Sequence, residues 1–109
     1  MIGTLDIKIE KTPKSRIGEQ DVNDVPFGKV FSDHMFVADY CDGKWQPGSI
    51  SPYRDIPMSL ALSALHYGQS IFEGMKAYKT KSGEVLLFRP LDNFKRLNIS
   101  AARMAMPEI

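Results

Sequence analysis

Two arginines one face of a helix apart are the first residues in this chain with a spacing that suits chemistry. Arg96 and Arg103 lie seven positions apart, about two helical turns, so their guanidinium groups recur along one face and can present paired donors to an anion. Glu73 beside Gly74 offers an acid in an otherwise apolar stretch, and Tyr67, Phe72 and Tyr78 can wall an aromatic pocket. Each has an ordinary reading as well: arginines mostly face water, aromatics mostly pack, and such a glutamate is usually solvated or paired. His34, His66 and the single Cys41 are scattered without metal-ligand spacing, so no metal site is expected. No glycine-rich nucleotide loop, Cys–His pair or nucleophile-elbow serine occurs. Read without analogy, these residues amount to an anion-binding candidate and no complete catalytic set.

The elements that must hold these residues are legible in outline. A short edge strand is expected at Ile7 to Glu10, followed by a polar, aperiodic arm, so residues 1–26 separate from 27–109. Met35 to Cys41 is rich in strand formers, Asp42-Gly43 supplies a tight turn, and Lys44-Trp45-Gln46 returns. Pro47, Gly48, Pro52 and Pro57 then mark a winding loop.

Ser59 to Tyr67 reads as a short helix stopped by Gly68, and Ile71 to about Lys79 as a strand in which Gly74 marks a bulge or a close approach to the backbone. Lys81-Ser82-Gly83 turns into a second hairpin arm at Glu84 to Arg89. The strongest helix starts at Pro90 with Asp92 in its first turn and stops before Pro107. Phe94, Leu97, Ala101 and Met104 form its expected buried stripe, with Asn93, Arg96, Ser100 and Arg103 on another face. Two hairpins and two helices make an α+β fold with a mixed, mainly antiparallel sheet.

Composition narrows the function classes. The chain has 109 residues, 43% hydrophobic and 25% charged, which suits one modest globular domain and excludes wholesale disorder. A net charge of +1 leaves no basic field for nucleic acid, so small molecules or another protein are the expected partners. No apolar run is long enough to span a membrane, and the first residues do not read as a signal peptide. One cysteine rules out an internal disulfide and points to a reducing, cytoplasmic setting.

Several ordered motifs point further. The run from Ala64 to Tyr78, ALHYGQSIFEGMKAY, resembles branched-chain amino acid aminotransferases around their first long strand. Leu87 to Leu97, LFRPLDNFKRL, looks like the segment that follows, and Ser100 to Pro107 also fits. Phe27 to Met35, FGKVFSDHM, is similar to the N-terminal signature of the longer members of that family.

The resemblance implies a pyridoxal 5'-phosphate enzyme of the D-amino-acid-aminotransferase-like fold, two-domain and homodimeric, with residues 27–109 as its small N-terminal domain. On it, Arg96 matches the arginine that grips the cofactor phosphate, while Phe27, Tyr67 and Phe72 match residues of the pocket for the branched side chain. The implied reaction moves an amino group between leucine, isoleucine or valine and 2-oxoglutarate. The Schiff-base lysine is expected beyond Ile109, as is the carboxylate that pairs with the pyridine nitrogen. Lys76, Lys79, Lys81 and Lys95 match other features, so the chain alone is expected to be inactive, a fragment without a catalytic residue of its own.

Two other readings stay open at this point. One is a D-amino-acid aminotransferase or aminodeoxychorismate lyase of the same fold, against which the long segment around Phe27-Gly28 speaks. The other is a free-standing, non-catalytic binding or dimerisation domain.

Overall fold

The computed structural model describes residues 6–109. The chain forms two compact units, one running up to Pro57 and the other from Met58 to Ile109.

The first unit is built on a three-stranded sheet. Its strands are β1 (Lys8–Ile9), β2 (His34–Val37) and β5 (Ser49–Pro52), in the order β1-β5-β2. β1 runs parallel to β5, with Lys8 opposite Ser49, and β2 runs antiparallel to it, with Met35 opposite Ser51. The expected edge strand is therefore present.

The expected loop after Pro47 is instead the central strand of this sheet. Proline is tolerated there because Pro52 lies past the last residue that β1 pairs, and so has only β2 as a neighbour. Ser51 is the one buried polar residue among the described residues of the unit.

The expected long strand from Met35 to Cys41 changes partners midway. Its first part pairs with β5, while β3 (Tyr40–Cys41) forms a hairpin with β4 (Lys44–Trp45). Asp42 and Gly43 both take positive φ, 53° and 76°, the conformation that a two-residue turn of matching twist requires. Across that hairpin the Tyr40 and Trp45 rings meet edge-on with centroids 5.2 Å apart.

The segment between β1 and β2 is tied back to the sheet by side chains. The Thr12 amide donates to His34 Nε2 at 2.9 Å, which requires that nitrogen to be unprotonated. Asp33 accepts from the Ser15 hydroxyl at 2.6 Å and from the Arg16 amide at 3.1 Å. Arg16 Nη2 reaches the Phe31 and Ser32 carbonyls, each at 3.2 Å. A short 3-10 turn at Ile17–Glu19 lies inside the loop that this clasp closes.

The second unit holds both α-helices and a hairpin. α1 (Ser63–Tyr67) is shorter than expected and ends at Gly68, whose φ of 63° is the left-handed cap the sequence suggests. β6 (Ala77–Lys79) pairs antiparallel with β7 (Val85–Leu87) through the turn at 81–83. The expected strand from Ile71 is paired only at Ala77–Lys79, because β7 offers three residues and no other strand lies alongside among the described residues.

α2 (Pro90–Arg103) begins with proline in its first turn, as the sequence indicates. Its C-terminus is a Schellman arrangement: the Met106 amide donates to the Ala101 carbonyl at 2.9 Å and the Ala105 amide to Ala102 at 3.3 Å. Ala105, at φ 52°, fills the left-handed position that glycine usually takes. The helix thus ends at Arg103, four residues before Pro107.

Of the expected stripe, Ala101 is fully buried, Leu97 and Met104 are half-buried, and Phe94 is exposed. No large side chain among the described residues is fully buried. Leu60, Phe72, Phe88 and Leu91 are all more than two-thirds exposed. The α+β class with mainly antiparallel pairing is as the sequence indicates.

Candidate functional site in the second unit

The first turns of α2 line an open groove together with the residues just before it: Phe88, Arg89, Asp92, Asn93 and Arg96. Arg89 sits at the helix entrance with φ 47° and ψ 51°, a left-handed conformation that L residues enter at a cost. Its Nε donates to Asp92 Oδ2 at 2.6 Å, a pairing of residues three apart at the helix start. Left-handed non-glycine backbone of this kind is often found where a site is built.

Arg96 faces the same groove from one turn further along. Its Nε donates to Glu73 Oε2 at 2.7 Å, and its Nη2 donates to Glu73 Oε1. Asn93, three residues earlier on α2, donates to Glu73 Oε1 at 3.0 Å and to the Gly74 carbonyl at 2.9 Å. Both N–H donors of the Asn93 amide are thereby used, and they secure residues 73 and 74 to the helix.

Glu73 and Arg96 differ sharply in exposure. The glutamate side chain is 10% exposed and the arginine side chain 68% exposed. The hydrogen bonds from Arg96 and then Asn93 push the Glu73 carboxyl down to about 2, against an opposing effect of burial. Glu73 in turn raises Arg96 above the ordinary arginine value. Both groups are therefore ionised at neutral pH.

The pairing is side-on. A guanidinium has five N–H donors, and Glu73 takes one from Nε and one from Nη2. The outer edge, with both Nη1 hydrogens and the second on Nη2, has no acceptor among the described residues. That edge can take two oxygens of a tetrahedral anion in parallel. Two arginines and two carboxylates balance in charge here, so selectivity for an anion comes from directed donors rather than from a net positive field. On this donor set the residues fit a phosphate monoester.

A scan against protein-family models matches none to this chain. Comparison with curated proteins is more informative. The chain is 49% identical over 104 residues to a probable branched-chain-amino-acid aminotransferase of Staphylococcus aureus, covering 94% of this chain and 28% of that protein. It is 49% identical over 90 residues to branched-chain-amino-acid transaminase 1 of Bacillus subtilis, covering 82% and 25%. A third relative, the branched-chain-amino-acid aminotransferase of Helicobacter pylori, is 40% identical over 82% of this chain and 26% of its own length.

The chain is related to the branched-chain-amino-acid aminotransferases. It spans about a quarter of the length of the relatives it matches.

The residues matched to this aminotransferase family by resemblance are distributed over both units. Arg96 is in the groove described above. Tyr67 ends α1 and Phe72 lies in the stretch before β6; they are 86% and 92% exposed. Phe27 belongs to the first unit and is fully exposed at 104%. It lies within the loop that the Arg16–Asp33 clasp closes; Ile17, Val22, Val25 and Phe31 of that loop line a pocket in which Phe27 takes no part. Arg103 lies near the far end of α2, in a separate shallow depression with Asn98 and Glu108.

Sequence reasoning singled out Glu73 and Arg96 separately and did not join them. The only signal was chemical: an acid in an apolar run, and a base on a helix face, each in need of a partner. It passed over Phe88 and Arg89 altogether as site residues. The Asp33 clasp carried no signal, since residues 10–24 show no period from which a contact could be read.

Proposed function

We propose that the protein carrying this chain is a pyridoxal-phosphate-dependent branched-chain-amino-acid aminotransferase. It would move an amino group between leucine, isoleucine or valine and 2-oxoglutarate, with this chain forming its small α+β portion. One observation carries the cofactor part of this reading: Arg96 is held side-on by Glu73 with its outer donor edge unused.

Bound pyridoxal phosphate supplies an electron sink for the substrate carbon that loses its proton. This chain's own part in that chemistry is binding. Arg96 takes the phosphate through the outer edge of its guanidinium, whose charge does not titrate near neutral pH. Tyr67 and Phe72 of the second unit provide apolar surface that excludes water from a branched aliphatic side chain, and the Tyr67 hydroxyl remains available to orient a polar neighbour, while Phe27 presents an exposed aromatic face on the first unit. No lysine of these 109 residues is assigned to hold the cofactor covalently.

The extent of uncovered apolar surface supports a small portion of a larger assembly, a homodimer in this reading, and the single cysteine fits a reducing, cytoplasmic setting. Exposed leucine and phenylalanine side chains on this scale mark surfaces that other protein covers. The experiment is amino transfer from leucine to 2-oxoglutarate by the intact protein, followed as branched keto-acid formed. Stoichiometric keto-acid and glutamate support the reading, and turnover of D-amino acids in place of leucine would overturn it.

A further inference from the structure

We propose that Glu73 is a positioning residue for anion binding in the α2 groove, setting which edge of Arg96 the ligand meets. The inference rests on the reading of Arg96 as the phosphate contact and deepens it.

The geometry assigns this role in three steps. An arginine that is 68% exposed would, if untethered, sample many rotamers. Glu73 removes that freedom by taking the Nε side, and Glu73 itself is fixed by Asn93 and by the Gly74 amide at 3.1 Å. The carboxylate is 10% exposed, so it is set behind the guanidinium and an incoming anion reaches the arginine first. A second carboxylate, Asp92, is engaged by Arg89 and leaves Arg96 to the ligand.

A neutral side chain of the same shape can preserve part of this tether, and a truncated one cannot. The acid also repels an anion at longer range, so a carboxylate set directly behind Arg96 aids binding only if orientation outweighs that repulsion. Orientation matters most for a ligand that needs two parallel donors, and a phosphate is such a ligand.

The test is equilibrium titration of the intact protein and its variants with pyridoxal phosphate and with pyridoxal, which lacks the phosphate. Glu73→Ala is expected to weaken pyridoxal phosphate tenfold or more and pyridoxal by less than twofold, with Glu73→Gln between Glu73→Ala and the parent. Equal weakening of both ligands would assign Glu73 a purely structural role and overturn the inference. Arg96→Ala separates the two levels of argument. If it erases the preference for the phosphorylated ligand and Glu73→Ala does not change that preference, the positioning role fails while the phosphate contact stands. If Arg96→Ala leaves the preference intact, the contact itself is wrong and the inference falls with it. In the double variant Arg96→Ala with Glu73→Ala, no further loss beyond Arg96→Ala alone is expected, and additive losses would count against positioning.

Discussion

Arg96 and Glu73 meet side-on, with the arginine Nε 2.7 Å from Glu73 Oε2 and the Nη1 edge turned away from the acid. The pair joins the middle of α2 to the stretch before β6, two parts of the chain 23 residues apart. It is at once a tether for local structure and the feature that leaves donors available in the groove.

The pair has a pH signature. Glu73 in the folded chain titrates near 2, below its ordinary value of 4.5. A carboxyl with a lowered folded value adds stability that is complete above the ordinary value and is lost as pH falls toward the folded one. The stability difference between the parent and Glu73→Gln should therefore be constant above about 4.5 and shrink between there and about 2. Thermal unfolding of both proteins across that range measures it. A difference that does not change with pH would show that Glu73 contributes nothing through its charge.

The end of α2 predicts a stabilising substitution. Ala105 occupies the left-handed position of a Schellman cap at φ 52°, where a Cβ is unfavourable. Ala105→Gly should raise stability by about 1 kcal/mol, since glycine takes this conformation without the steric cost. Denaturant unfolding reads the change as a higher midpoint at unaltered slope. A lower midpoint would mean that the Ala105 methyl makes contacts worth more than the strain.

Asp33 predicts a local effect in the first unit. The Ser15 hydroxyl and the Arg16 amide hold its carboxyl below the usual carboxylate range, so it is charged at neutral pH. Asp33→Ala removes the acceptor for Ser15 and Arg16 and should loosen the loop from 16 to 33 that carries Phe27. Amide hydrogen exchange is expected to speed up at Arg16 and neighbouring positions, with the β2–β5 pairing still protected. Unchanged exchange at Arg16 would mean that the clasp does not hold the loop.

Local chemistry explains which parts of this structure were legible in the sequence. Asp42-Gly43, Gly68 and Pro90 each act within a turn of the chain, through positive φ or a missing N–H, and each was placed correctly. What depends on distant partners was not. Ser49 to Pro52 becomes a central strand because β1 and β2 flank it, despite the prolines that argue for a loop. Ile71 to Lys76 has strand-forming residues but no strand beside it among the described residues, so its propensity goes unused.

The site followed the same division. Arg96 was legible as a residue, by its place on a helix face and by resemblance to a family. Its partner was not, because nothing in a linear pattern says that Glu73 and Arg96 meet. The closed loop around Phe27 was likewise invisible, since the Arg16–Asp33 contact joins two polar stretches without periodicity.

The central claim is that Arg96 grips the phosphate of the cofactor. Retention of pyridoxal phosphate by Arg96→Ala, measured by equilibrium titration beside the parent protein, tests it most directly. The account predicts at least tenfold weaker binding of pyridoxal phosphate, with pyridoxal affinity and the fold left intact. Equal pyridoxal phosphate affinity in the two proteins would contradict it.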